Sequence, residues 1–189
     1  MDRKGIVLAL SFVLAVGAFA PAGFAAPKAS LKMLTKAASS DTPNSREAEF
    51  IRLINIDRAK HGLGALALDP VLMDTARLHS RDMAERDYFS HHSPAPAPRT
   101  PTLRYVEDLK NIGGVQPESM LVGENIYYCS VYTKDFDVKY SHKALMDSPG
   151  HRANILEPRY QKVGVGVYVD PIGQFYVTEM FLRDTTVGS

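Results

Sequence analysis

Three residues in this chain could supply chemistry together: His91, Glu124 and His151. Each is polar, borders an apolar run, and begins or ends an expected element. Two neutral imidazoles and a carboxylate suit zinc or a similar divalent ion, with positions left open for water or a ligand. The same set could serve a metal-assisted hydrolase, His91 and His151 as ligands and Glu124 as ligand or general base on bound water. It could also line a binding groove flanked by Tyr88, Tyr127 and Tyr128. A third reading needs no ligand, because a buried carboxylate between imidazoles satisfies itself by hydrogen bonding. Spacing does not choose among these, since there is no His-Glu-x-x-His and scattered residues meet only if the fold brings them together.

The elements that must position these groups follow from periodicity and punctuation. Asn44 with Glu47 resembles a capping pair, and Phe50, Ile51, Leu53 and Ile54 supply a helical stripe that Gly62 stops. Asp69-Pro70 offers a cap and a first-turn proline for a second helix, where Leu72, Ala76, His79 and Met83 recur on one face. His79 reads there as a structural histidine. Tyr88 to His92 ends that element, and four prolines between Pro94 and Pro101 forbid immediate regular structure, which places His91 just past a helix. Thr100-Pro101 opens a third helix, with Leu103, Val106 and Leu109 expected inward and Gly113-Gly114 closing it.

Gly123 to Cys129 reads as a strand in which Glu124, Ile126 and Tyr128 share one face and Asn125, Tyr127 and Cys129 the other. Asp135 or Asp137 caps a fourth helix that ends at the Ser148-Pro149-Gly150-His151 corner, and Arg152 to Leu156 can start a short further helix. His151 and Ile155 share a face of it, so the imidazole borders the core. Val163, Val165, Val167 and Val169 form the branched face of a strand, Asp170 to Gly173 turns the chain, and Gln174 to Leu182 returns with Glu179 among Phe175, Val177 and Phe181. The expected fold class is α/β (α+β), a small antiparallel sheet with helices packed against it.

Composition narrows the function classes. Residues 1–25 carry a short basic start, an apolar run and small residues suited to cleavage, and are expected to be a signal peptide. Residues 26–44 read as a flexible leader and 45–184 as one domain; roughly 160 residues after cleavage suffice for a single core. The chain is therefore expected to be secreted or periplasmic, monomeric and without a stable membrane span. A net charge of +1 with mixed signs excludes the basic stripe that nucleic acid needs. Cys129 is the only cysteine, so no intrachain disulfide forms, and in a strand pattern it reads as a small buried residue. Ser148 or Cys129 as a nucleophile beside His151 is the weaker enzymatic alternative, because Gly-x-Ser-x-Gly surroundings are missing.

Several short runs, taken together and in order, resemble the bacterial branch of the CAP superfamily, the cysteine-rich secretory, antigen 5 and pathogenesis-related 1 domain also called SCP. They are Leu53 with Asp57-Arg58 and Gly62-Leu63, Asp69 to Ala84, Tyr88-Phe89-Ser90-His91, Gly123-Glu124-Asn125-Ile126, Ser148 to Leu156, and Gly164-Val165-Gly166. The resemblance implies a three-layer α-β-α sandwich and a secreted protein. It also implies a central cavity of two His and two acidic residues that holds a divalent metal in some members. Carried over, His91, Glu124 and His151 are the candidate metal ligands, and Tyr88, Tyr127 and Ser148 join them in the ligand cavity. Ser148 follows Asp147 where larger eukaryotic members carry a second Glu, so three donors for Zn or another divalent metal are implied here. The family's disulfides and the usual aromatic near Leu145 are also missing. Family members are more often described as binders or effectors than as enzymes, so the resemblance favours a binding module for an extracellular lipid, sterol, peptide or cell-wall component. No catalytic residue is assigned; a hydrolase would use Glu124 and His151.

Overall fold

A computed structural model describes residues 42–96, 100–132 and 137–185. The expected signal peptide, 1–25, and the leader up to residue 41 lie outside the described residues. Helix α1 (Ser45–Lys60) starts as its capping pair predicts: Asn44 Oδ1 accepts from the amides of Arg46 and Glu47, and Glu47 Oε2 accepts from the Asn44 amide at 2.9 Å. Glu47 is also buried, and it accepts a two-point fork from Arg77, Nη2 to Oε2 at 2.6 Å and Nε to Oε1 at 2.9 Å. One residue thus starts the first helix and ties it to the second.

A two-residue strand β1 (Ala67–Leu68) leads into α2 (Pro70–Glu85), capped by Asp69 on the Leu72 amide at 2.9 Å. Helix α3 (Pro101–Asn111) is capped by Thr100 on the Leu103 amide at 3.2 Å. Strand β2 (Ser119–Ser130), α4 (Val138–Asp147), α5 (Pro149–Ile155), β3 (Lys162–Val169) and β4 (Gln174–Thr185) complete the order. The strands lie in the order β1-β3-β4-β2. β2 and β3 both pair antiparallel with β4, and β1 pairs parallel with β3, so the small sheet expected to be antiparallel has one parallel edge.

Period-two alternation divides the core into two layers. Val163, Val165, Phe175, Val177, Phe181 and Tyr127 pack with Phe50 of α1, Leu145 of α4 and Ile155 of α5. The other face sets Met180 and Leu182 against Leu72 and Ala76 of α2 and Tyr105 of α3. The α-β-α sandwich follows. Leu103, expected inward, is 53% exposed, because Arg104, Tyr105 and Val106 take the buried face of α3.

The Gly164-Val165-Gly166 run serves this packing. A Cβ on Gly164 would lie 2.3 Å from Leu72 backbone, and one on Gly166 2.1 Å from the Arg77 amide. Glycine lets α2 lie directly on β3. Arg58 closes the opposite layer: fully buried, it donates to the carbonyls of Gly64, Ile155, Glu157 and Tyr160, satisfying the C-terminal end of α5 and the loop beyond.

Candidate functional site

Glu124 is the centre of the site. It lies on β2, on the face turned toward α2 and α3, and is buried. His91, in the loop after α2, meets Glu124 Oε1 through Nδ1 at 2.8 Å. Arg104, from α3, donates through Nη2 to Oε2. Its Nη1 donates to the His91 carbonyl at 3.0 Å and to Ser93 Oγ at 3.1 Å, so one guanidinium fastens both the acid and the loop that carries the histidine.

The second histidine beside this carboxylate is His79. Its Nε2 lies 3.8 Å from Glu124 Oε1 and donates to the Ser90 carbonyl at 3.1 Å. That bond makes Nδ1 the acceptor, and the hydroxyls of Tyr88 and Ser93 stand 3.4 Å and 3.5 Å from it. Tyr88 donates to Asp82 Oδ2 at 2.5 Å. Burial pushes the His79 imidazole down to about 4, with Glu124 acting the other way, so it is neutral at physiological pH. Burial alone would raise the Glu124 carboxyl, but His79, the His91 bond and Arg104 together hold it below the ordinary carboxylate range.

The sheet separates His151 from this cluster, correcting the expectation of one shared hollow. Asn125 follows Glu124 on β2, and its side chain leaves the opposite face. Asn125 Nδ2 donates to the His151 carbonyl at 3.2 Å and to Glu179 Oε2, on paired β4, at 2.9 Å. His151 Nδ1 pairs with Ser148 Oγ at 2.9 Å, which explains why Ser148, the N-cap of α5, makes no side-chain cap. Asn154 donates to the Glu124 carbonyl at 3.1 Å and to Asn125 Oδ1 at 2.9 Å, holding α5 on that side. The six cavity candidates therefore divide evenly. Tyr88, His91 and Glu124 belong to the α2/α3 layer, whereas Tyr127, Ser148 and His151 belong to the α1/α4/α5 layer, where Tyr127 is core.

A second buried polar group occupies that other layer. His142 Nε2 meets Asp57 Oδ2 at 2.8 Å, joining α4 to α1. Glu179 is fully buried, and burial raises its carboxyl above the usual range, with His142 and the Asn125 bond acting the other way. Asn125 reaches Oε2, while Oε1 has no hydrogen-bond partner among the described residues.

The residues present do not fit the divalent ion that the family resemblance implies. Both Glu124 oxygens are engaged, His91 directs Nδ1 at one of them, and His151 stands across the sheet. Among the described residues no group of three or more His, Cys, Asp or Glu side chains could hold a metal ion. Sequence reasoning missed Arg104 and gave His79 only a structural role. The available signal was position: Arg104 lies next to Tyr105 and Val106 on the one amphipathic face of α3, and an arginine there needs a buried acid.

Beside this cluster, α2 and α3 leave a cleft of about 200 Å³. His79, Ser93 and Arg104 line it together with Asp82, Asp108 and Leu78. Thr75 Oγ1 reaches Asp108 Oδ2 at 2.7 Å across the gap, and burial raises the Asp108 carboxyl.

The chain matches the cysteine-rich secretory protein family, CAP, over residues 51–181. It belongs to that family. It is 32% identical over 145 residues to the uncharacterized protein YkwD of Bacillus subtilis, covering 77% of this chain and 51% of the relative. It is 32% identical over 139 residues to the uncharacterized membrane protein YlbC of the same organism, covering 72% of this chain and 34% of the relative. This CAP chain thus spans about half or less of the length of these curated relatives. Among solved structures it resembles an extracellular protein containing an SCP domain from Bacillus anthracis, with 33% identity, a TM-score of 0.59, and 74% of this chain and 40% of that one covered. It also shares its fold with an outer surface protein of Borrelia burgdorferi, at 16% identity and a TM-score of 0.61, covering 74% of this chain and 93% of that one. No helix among the described residues of this CAP protein is long and apolar enough to cross a membrane.

Proposed function

We propose that this CAP protein is an exported binding module whose ligand enters the cleft between α2 and α3, above the Glu124 cluster. The observation that carries the reading is the cleft itself, about 200 Å³ with Leu78 on one wall and Asp82, Glu85, Glu107 and Asp108 around it. That volume takes one residue-sized group of a larger molecule rather than a whole drug-sized ligand. Charged walls penalise burial of a lipid tail or sterol. Of the ligand classes the family suggests, a peptide or a cell-wall component is favoured.

Under this reading Arg104 and His79 line the cleft, and Glu124 and His91 hold them from behind. A hydrolase would need Glu124 as a base, yet both its oxygens are engaged and its carboxyl is held low, which makes it a weak one. The cluster works instead as a support that fixes the cleft's back wall. The likeness to an extracellular SCP-domain protein and to an outer surface protein supports export.

Native mass spectrometry of protein purified from its own host tests the reading, paired with the Leu78→Arg variant. A retained peptide or glycan fragment, lost from the variant, is the expected result. A folded protein that retains nothing, and captures nothing from peptidoglycan, peptide, liposome or sterol mixtures, would refute it.

A further inference from the structure

We infer that Arg104 supplies to Glu124 the positive charge that a divalent metal would otherwise supply, so that the His91–Glu124 site is locked by an internal cation and does not take up zinc. The argument is one of occupied lone pairs and charge. Glu124 Oε1 is held by His91 and Oε2 by Arg104, whose side chain is 8% exposed against 1% for the carboxylate. A metal binding this carboxylate would have to sit close to a buried guanidinium that cannot lose its proton, and the like charges would repel at low dielectric.

The remaining donors are committed as well. His79 Nε2 carries the hydrogen donated to the Ser90 carbonyl, so it presents no lone pair. His151 belongs to the other face of the sheet. Three groups nonetheless surround one spot, His79, His91 and Glu124, with His79 3.8 Å and His91 2.8 Å from the same oxygen. The imidazoles approach one carboxylate oxygen while Arg104 holds the other, so the charge an ion would bring is already supplied by arginine. Removing the arginine charge leaves the buried carboxylate without a counter-ion and frees Oε2, beside His91, to take a cation such as zinc.

The test compares the parent with Arg104→Met, which keeps the aliphatic stem and removes the charge. Zinc is titrated by calorimetry, Co2+ by its visible d–d absorption, and the melting temperature is read with and without zinc. The parent is expected to show no saturable heat, no tetrahedral cobalt spectrum and no thermal shift. Arg104→Met is expected to bind one equivalent and gain melting temperature with zinc, and to lose both when His91→Ala is added. If Arg104→Met is unfolded without metal, refolding on zinc addition supports the inference. Arg104→Gln is the second variant, read in the same way. Saturable zinc binding by the parent that disappears in His91→Ala would overturn the inference. So would variants that fold and remain blind to zinc.

Discussion

Arg104 on α3 and Glu124 on β2 form an ion pair at the interface of helix and sheet, and neither side chain is more than 8% exposed. Their bond fixes how α3 lies on the edge strand. It also decides what the histidines around the acid are able to do.

Breaking one side of that pair is expected to cost more than losing it whole. Glu124→Gln leaves a buried guanidinium without its counter-charge, and the expected loss is about 3 kcal/mol in urea unfolding. Arg104→Met combined with Glu124→Gln is expected to recover part of that loss. Equal additive losses would show that the two side chains act independently.

Acid should destabilise the fold through His79. Its folded value, about 4, is below the 6.5 of a free imidazole, so the unfolded chain binds the proton more readily. Stability is therefore complete above pH 6.5 and is lost as pH falls from there toward 4, by roughly 3 kcal/mol. Glu124 extends the loss further into acid, because its folded carboxyl is held below the 4.5 of a free glutamate. His79→Gln keeps a donor for the Ser90 carbonyl and is expected to flatten the upper limb of a melting temperature against pH plot. An unchanged profile would remove His79 as its source.

Glu179 has the opposite sign. Its folded carboxyl is raised above 4.5, so the folded state holds the proton more tightly, and its contribution is lost as pH rises through the folded value. At neutral pH the buried acid is a cost. Glu179→Gln retains an acceptor for Asn125 Nδ2 and is expected to stabilise the protein at pH 7, on the order of 1 kcal/mol. Chemical denaturation at pH 7 and pH 4 checks this, the gain shrinking at the lower pH.

Adding one methyl group to the β3 surface should separate layers. Gly166→Ala places a carbon 2.1 Å from the Arg77 amide, and a helix backbone cannot yield as a side chain does. The expected cost is about 3 kcal/mol or more, with altered near-ultraviolet dichroism as α2 lifts. Gly64→Ala, where an added carbon meets nothing within 4 Å, is the control and is expected to be close to neutral.

Local signals in the chain determined most of the framework. Asn44 with Glu47, Asp69-Pro70 and Thr100-Pro101 are self-contained caps, and alternation in Val163 to Val169 and Gln174 to Leu182 is a property of neighbouring residues, so helix starts and the hairpin were legible. The same period-two rule already put Glu124 and Asn125 on opposite faces of β2. What it could not say is which helix covers which face. That depends on long-range packing: α2 rests on glycines 164 and 166, and α5 is held to the other side by Asn125, Asn154 and Arg58. Tertiary structure therefore decided that His91 keeps Glu124 while His151 does not, and that Arg104 and His79 take the places beside the acid. A buried carboxylate must be neutralised by whatever the fold brings within reach, and the identity of that partner is a matter of distance in space rather than order along the chain.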